Sequence, residues 1–421
     1  MRIGILAYKP SSYSTDRLKE ACRARGHQAR ILTCLNFSLD ISPGKPDLLY
    51  KGKPLKKFDA IIPRIASSTK HLGAAIVRQF EEMGTFSLNS SQGLAVSRDK
   101  LRSLQVLARH KSVSIPASSF VSGKGEAELA LERVGGVPVV IKMLQGTQGT
   151  GVILAERKSV ALAIISALQA AGNDVIVQHF VSESQGKDIR AFVVGDKVVA
   201  AMRRVAKEGE FRSNVHLGGT TEAVELSDAY KRAALSAAHI IGLRIAGVDL
   251  LETKEGPKVL EVNSSPGLEG IEGATGVDVA GAIIDFLAEE IQFPDLDIQQ
   301  RLSLSRGYAI ADIPIVKGSP YVKQPIATTD LSEKEIRVLS ISRGSILLPS
   351  PRSTEVLQLG DILTCFGKQV ELKSMMPSKK QKTKLKKKAV EPDPQSGAGS
   401  SAQLGSNGLS DASAYSEKSN S

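Results

Sequence analysis

The chain has 421 residues, 42% of them apolar and 24% charged, values ordinary for folded proteins, so wholesale disorder is excluded and two or three domains fit the length. Lys and Arg number 55 and Asp and Glu 44, a net charge of +11, of which +4 comes from residues 376–421, where eight lysines stand against four acids. Cys22, Cys34 and Cys365 lie far apart with no CxxC pair, which argues against a disulfide framework or a cysteine zinc site and for a reducing compartment. No run approaches a membrane span and the opening apolar stretch is too short for a signal peptide, so the expectation is a soluble cytoplasmic protein. The absence of Trp and an aromatic content of 4% argue against a base-stacking nucleic-acid platform.

In chain order, residues 3–8 read as a buried strand, Ser14 as the N-cap of a helix running to Arg25, residues 58–62 as a second strand and 70–83 as a helix stopped by Gly84. This alternation predicts a parallel sheet flanked by helices over residues 1–95. A helix at 98–110 leads into a second region, 96–295. There, strands at 137–142 and 151–155 flank a Gly-rich turn, followed by a helix at 159–171 and a strand at 174–178. Gly195-Asp196 marks a hairpin between 188–194 and 197–202. A helix at 228–241, strands at 246–251 and 258–262, and a helix at 277–292 complete it. Short strands at 336–341, 345–348 and 361–366 predict a small α+β module over 310–375. Beyond it, a Lys run precedes a segment from Ser396 in which 13 of 26 residues are Ser or Gly; 376–421 therefore reads as disordered.

The turn Gln145-Gly146-Thr147-Gln148-Gly149-Thr150-Gly151 sits between two strands, which excludes a Walker A loop and a Rossmann fingerprint, both of which need a helix next. Bare backbone N–H groups in such a flap can close over phosphates, although a plain hairpin is the commoner use of glycine. Lys142 enters the flap and Lys100 precedes it; together they can neutralise polyphosphate, or stand solvated at the surface. Asp249 interrupts an apolar strand, and Glu261 and Asn263, two apart, share a face of the next. Two carboxylates and an amide oxygen on adjacent strands suit Mg²⁺, with phosphate oxygens completing the shell; the alternative is an edge pair facing water.

The strings Ile62-Pro63-Arg64-Ile65, Arg98-Asp99-Lys100-Leu101-Arg102-Ser103, Gly146-Thr147-Gln148-Gly149, Asp188-Ile189-Arg190, Ala206-Lys207-Glu208-Gly209, Phe211-Arg212-Ser213-Asn214, Ala246-Gly247-Val248-Asp249 and Glu261-Val262-Asn263, in this order, resemble the RimK-type branch of the ATP-grasp ligases over residues 1–292. The resemblance implies an α/β ATP-grasp fold with an N-terminal parallel-sheet preATP-grasp domain, residues 115–188 forming a mobile ATP-binding lid. It implies that Lys100 and Lys142 bind phosphates with the Gly146–Gly149 flap, that Gln178, His179 and Phe180 form the adenine hinge, and that Asp188 contacts the nucleotide. Arg212, with Ser213 and Asn214, would contact the γ-phosphate and acyl phosphate, so Arg212 and Lys142 are the catalytic candidates. Asp249, Glu261 and Asn263 would ligate metal: two Mg²⁺ ions, with Mn²⁺ as a substitute. His179 departs from the acidic residue expected at the hinge. The implied activity is ATP-dependent carboxylate–amine ligation that adds free glutamate to a protein C-terminus, that of a small-subunit ribosomal protein; the alternative is a small molecule or carrier protein as acceptor. Because both substrates are anionic, Arg64, Arg203, Arg204 and Lys207 are candidates to hold carboxylates, or form a solvated basic hairpin.

The stretch Val338-Leu339-Ser340-Ile341-Ser342-Arg343-Gly344, then Leu348-Pro349 and Leu359-Gly360-Asp361-Ile362-Leu363, resembles a TrkA C-terminal regulatory domain, which implies a homo-oligomer. The run Lys379 to Lys388 could bind nucleic acid, but reads first as a solvated, flexible tail. No membrane association is expected.

Overall fold

The computed structural model describes residues 1–42, 46–66, 69–123, 125–144, 151–213, 218–292, 308–344 and 346–375. It divides into two compact units, Met1–Asp295 and Leu296–Ser421. The expected flap Gly146, Thr147, Gln148 and Gly149, Asn214, and the tail at 376–421 lie outside the described residues.

The first unit opens with β1 (Arg2–Ala7), α1 (Tyr13–Ala24), β2 (Gln28–Thr33), β3 (Phe37–Asp40), β4 (Asp47–Tyr50), β5 (Lys53–Pro54), β6 (Ala60–Arg64), α2 (Lys70–Glu82), β7 (Phe86–Ser87) and α3 (Ser91–Ser97). Strands β2-β1-β6-β7 form a parallel sheet in that order, and β3-β4-β5 a separate antiparallel one. The β1 and β6 strands run almost wholly apolar, as strands covered on both faces require, whereas β2 carries Gln28, Arg30 and Thr33. The helix α1 begins two residues earlier than its sequence implies. Ser12, not Ser14, is the N-cap: its hydroxyl accepts from the Thr15 N–H while the Thr15 hydroxyl accepts from the Ser12 N–H. The Ser14 hydroxyl is instead spent on the Leu268 N–H at 3.0 Å, tying α1 to a distant loop.

Next come α4 (Lys100–Ala108), capped by Asp99, then β8 (Ser118–Val121), α5 (Ala127–Arg133), β9 (Val139–Met143), β10 (Val152–Ala155), α6 (Lys158–Ala170) and β11 (Val175–His179). Strands β10-β9-β11-β8 form an antiparallel sheet with its own core, in which Val139, Ile141, Val175 and Val177 pack against Leu131 of α5 and Ile165 of α6. Alternation turns the other positions, Val140, Lys142, Ile176 and Gln178, to the opposite face.

The rest is β12 (Lys187–Val194), β13 (Lys197–Val205), β14 (Thr220–Ala223), α7 (Asp228–Ile241), β15 (Ile245–Leu251), β16 (Lys258–Asn263), α8 (Glu269–Thr275) and α9 (Val279–Gln292). Strands β14-β13-β12-β15-β16 make an antiparallel sheet. One face, with Ile189, Ala191, Val193, Val248 and Leu250, packs on Ala234 and Ala238 of α7. The other face is divided. Phe192, Val194, Met202 and Ile245 pack in a common core with Ile3, Leu18, Ile283 and Ile284 of β1, α1 and α9, whereas the polar positions of the same face gather at the far end of the strands. Buried Asn89 seals the junction: its amide donates to the Ile245 and Ser264 carbonyls and accepts from the Arg244 and Ile245 N–H groups. All its hydrogen-bonding capacity is used, as burial of an amide demands.

The second unit contains β17 (Tyr308–Pro314), β18 (Arg337–Arg343), β19 (Ile346–Pro349), β20 (Ile362–Lys368) and a short helix, Gln369–Ser374. The antiparallel order is β17-β20-β18-β19, around a core that includes Ile313, Ile341, Leu363 and Cys365. Arg343 clamps buried Asp361 with two hydrogen bonds of 2.9 and 3.0 Å.

Candidate active site

The divided face of the five-stranded sheet carries the chemistry. Register places Arg190 opposite Asp249, Asp249 opposite Glu261, Asp188 opposite Arg204 and Gly247 opposite Asn263. The six side chains point to one side, with Gly247 at a position of the same face, because the side-chain period of a strand is two. Arg190 donates to both oxygens of Asp249 at 2.7 and 2.8 Å. Arg204 grips both oxygens of Asp188 and also reaches Asp249 at 3.0 Å. Asp188 and Asp249 are each only 3% exposed. Burial raises a carboxyl pKa, and at Asp249 the two guanidiniums outweigh that and hold it below the usual range. At Asp188, burial together with the nearby Asp249 charge wins over its single arginine, and its carboxyl is pushed up.

Glu261 differs. Its side chain is accessible, yet the surrounding cleft walls and then Asp249 push its carboxyl up, against the pull of Lys142, Arg190 and Lys100. Asn263 donates its amide N–H to Asp249 at 3.3 Å, and among the described residues its carbonyl oxygen has no partner. No group of three His, Cys, Asp or Glu converges on one point among the described residues; the set is two carboxylates and an amide oxygen. Two carboxylates held side by side, one of them at the cost of a raised pKa, are relieved by a hard cation between them, so these residues fit Mg²⁺.

From the four-stranded antiparallel sheet, Lys142 donates to the Gln178 side-chain oxygen at 2.6 Å, and Gln178 in turn donates to the Ser118 hydroxyl at 2.8 Å. Burial, with Lys100 nearby and Glu261 opposing, brings the Lys142 ammonium down to about 8. Lys100, at the start of α4, donates to the Met143 carbonyl at 2.9 Å. The two lysines therefore approach the Glu261 carboxylate from different elements. The Gln178 side chain is a support for Lys142 that its expected place in the adenine hinge does not reveal. His179 sets its Nδ1 3.1 Å from the Val134 carbonyl. Phe180 meets Phe211 edge-on with ring centroids 6.3 Å apart, joining the segment after β11 to the loop that carries Arg212. Glu210 holds Arg212 at 2.6 Å, and the contact pulls the Glu210 carboxyl down to about 2.

The four candidate carboxylate holders separate. Arg203 turns to the α7 side, where it pairs with Glu252 at 3.0 Å and Glu222 at 2.9 Å. It is not brought to the site, since neighbouring residues on a strand face opposite ways. Arg204 is buried under the acids, and Lys207 is exposed on a turn. Arg64, at the end of β6, donates to the Pro266 carbonyl at 2.6 Å. Two residues that the residue-by-residue reading passes over belong here. Arg190 lies two positions from Asp188, which itself signals a shared face, and Arg98 donates to Ile65 O and, at 3.2 Å, to Ser265 Oγ. Gly247 is required by close approach: a Cβ there would lie 2.7 Å from Pro266 Cβ, the residue whose carbonyl holds Arg64.

Lys142 on the four-stranded sheet and Lys100 on α4, set beside a five-stranded antiparallel sheet with two carboxylates and an amide, form the arrangement of an ATP-grasp enzyme. Family models match accordingly: a RimK PreATP-grasp domain over residues 1–94, a RimK-like ATP-grasp domain over 97–287 and a TrkA-C domain over 310–378. A probable alpha-L-glutamate ligase of Rhodopirellula baltica is 52% identical over 393 residues, 93% of this chain and 97% of the relative. One from Shewanella loihica is 52% identical over 290 residues, 69% of this chain and 96% of the relative. The chain belongs to the RimK family of ATP-grasp ligases, and is an ATP-dependent enzyme forming carbon–nitrogen bonds. Solved structures share the fold. The ATP-grasp ligase PsnB with minimal precursor, Mg and ADP superposes with TM-score 0.55 at 23% identity, covering 69% of this chain and 98% of that one. A RimK domain protein from Sphaerobacter thermophilus gives 0.53 at 24%, covering 68% and 100%. No helix among the described residues is long and apolar enough to cross a membrane.

Proposed function

We propose that the enzyme activates a carboxylate as an acyl phosphate and joins it to the amine of free glutamate, the acceptor being the C-terminus of a small-subunit ribosomal protein. The observation that carries the reading is the meeting of Lys100 and Lys142 with Asp249, Glu261 and Asn263 at one end of the cleft. That cleft collects the cations a triphosphate requires and the oxygens a divalent ion requires. The names of the relatives favour glutamate as the amine.

A carboxylate is a poor acyl donor because its leaving group is oxide. Its oxygen attacks the γ-phosphorus, the bond to ADP breaks, and the product is an acyl phosphate. The glutamate amine, as the free base, attacks the carbonyl carbon, phosphate departs, and the amine loses its proton to solvent or phosphate. When bound, Mg²⁺ held by Asp249, Glu261 and Asn263 supplies charge neutralisation at the phosphates. Lys142 and Lys100 hold the polyphosphate, Arg212 takes up charge on the transferred group, and Arg190 and Arg204 keep Asp249 ionised and aimed. The Lys142–Gln178–Ser118 chain fixes the lysine's direction. No protein nucleophile is needed.

The test is to incubate the full chain with ATP, Mg²⁺, labelled L-glutamate and small-subunit ribosomal proteins, and read intact masses. Stepwise glutamyl additions to one protein, dependent on ATP and metal, are expected. Transfer of glutamate to a small molecule or carrier protein alone would overturn the acceptor. ADP formation indifferent to any amino acid would overturn ligation.

A further inference from the structure

All three arginines of the five-stranded sheet, Arg190, Arg203 and Arg204, answer to acids, but a pair outside it, Arg64 at the end of β6 and Arg98 before α4, does not. Among the described residues neither Arg64 nor Arg98 has a carboxylate partner. Arg64 is held by the Pro266 carbonyl at 2.6 Å, Arg98 by the Ile65 carbonyl and the Ser265 hydroxyl, and buried Arg98 Nε has no partner. Both side chains are half-buried. Partly desolvated guanidiniums are costly unless a counter-charge arrives, and here the protein supplies only neutral carbonyl and hydroxyl oxygens.

Arg64 also lines a cavity of about 170 Å³ with Ala7, Tyr8, Lys9, Ser12 and Thr15, between the end of β1, the start of α1 and the end of β6. The Ser12 and Thr15 hydroxyls are occupied in the helix cap, so Arg64 and Lys9 provide the cavity's charge. Arg98 adds positive potential behind Arg64; burial first, and then this neighbour, bring the Arg64 guanidinium down to about 10. The location is next to the chemistry. Ser265 and Pro266, which hold the two arginines, lie two and three residues after Asn263, and Pro266 abuts Gly247, the register partner of Asn263.

Resting on the ligase reading above, we infer that this cavity is the subsite for the amine substrate, and that Arg64, with Lys9 at its mouth, binds a carboxylate of free glutamate that does not react. An arginine fork matches a carboxylate with two parallel hydrogen bonds. Amine and acceptor divide naturally on this basis. The reacting carboxylate of the acceptor must lie at the γ-phosphate beside Lys142 and Glu261. The free amino acid, which has no protein chain to anchor it, needs counter-charges of its own. Of the four cationic candidates in the sequence, Arg203 and Arg204 already hold acids and Lys207 is exposed on a turn, leaving Arg64.

The experiment measures, with the full-length chain, steady-state KM for L-glutamate, ATP and acceptor protein in wild type, Arg64→Ala, Arg64→Lys and Lys9→Ala. Calorimetric titration of L-glutamate into each protein runs in parallel, and thermal midpoints check folding. Loss of a charge-assisted pair predicts that KM for glutamate rises about 10- to 100-fold in Arg64→Ala with KM for ATP unchanged, and that Arg64→Lys recovers part of the loss. Lys9→Ala, a surface change that keeps the fold, raises KM for glutamate by a smaller factor. An unchanged KM for glutamate in folded Arg64→Ala, or a rise confined to the acceptor protein, overturns the assignment while leaving ligation intact. A wild-type enzyme that transfers no glutamate overturns the ligase reading. The titration then decides the pocket by itself, and equal glutamate binding, or none, in wild type and Arg64→Ala rejects it.

Discussion

Arginines at two ends of one cleft are treated in opposite ways. On the five-stranded sheet, Arg190 and Arg204 lie against Asp249 and Asp188, every contact an ion pair. At the end of β6 and before α4, Arg64 and Arg98 rest on backbone carbonyls and a hydroxyl, with no acid among the described residues. Internally satisfied guanidiniums aim other groups and hold the sheet; those satisfied only by neutral oxygens retain an unanswered charge for a ligand. The number of arginines in a site thus says less than what each already holds.

The largest effect that would break this comparison is on stability. Arg204→Leu leaves Asp188 and Asp249 buried with one cation removed, and denaturant unfolding is expected to show a loss of about 3–5 kcal/mol. A loss below about 1 kcal/mol, the size of an exposed pair, would mean that the network does not hold the sheet. Next is Glu261→Gln. Because Glu261 is accessible and hydrogen-bonds nothing among the described residues, the thermal midpoint should stay put. Its kcat should fall by about 100-fold or more, with the metal requirement shifted to higher concentration. A variant that unfolds instead would mark Glu261 as structural.

Lys142 sharpens the comparison through pH. Its ammonium, brought down to about 8 by burial and Lys100, is charged below that pH and neutral above it. Only the charged form attracts phosphate, so KM for ATP is expected to climb as pH rises through about 8. Lys142→Arg, charged throughout, should flatten that climb, and an equally steep climb in the variant would remove Lys142 from phosphate binding. The smallest effect belongs to Arg203→Ala. Arg203 turns away from the cleft towards Glu222 and Glu252, so the cost in unfolding free energy should be below about 1 kcal/mol, with kcat/KM unchanged for every substrate. A fall in kcat/KM would show that the two faces of the sheet are not independent.

Much of this was readable from residue order. The parallel N-terminal sheet follows from its apolar strands alternating with helices, and Glu261 and Asn263 share a face by spacing alone, while Asp249 joins them through strand register. The same period of two separates Arg203 from Arg204, since consecutive strand residues cannot both enter one pocket. It also marks Arg190 as a companion of Asp188. Other features were out of reach. Three of the four residues of the edge strand Thr220–Ala223 are polar, without alternation, and β2 has only one fully buried residue. The helix α1 is capped by Ser12, and Ser14 is spent on Leu268, 254 residues away. Nothing local distinguishes Arg64 from Arg203. Only the tertiary neighbours, a carbonyl for one and two acids for the other, tell which still needs a partner.

The most direct measurement is the ratio of ADP formed to glutamate transferred, followed in one reaction with ATP, Mg²⁺, labelled L-glutamate and small-subunit ribosomal proteins. A ligase that passes through an acyl phosphate gives one ADP for each glutamyl group joined to protein, and no steady ADP release when glutamate is withheld. ADP production at the same rate with and without glutamate, and no label on any protein, would contradict it.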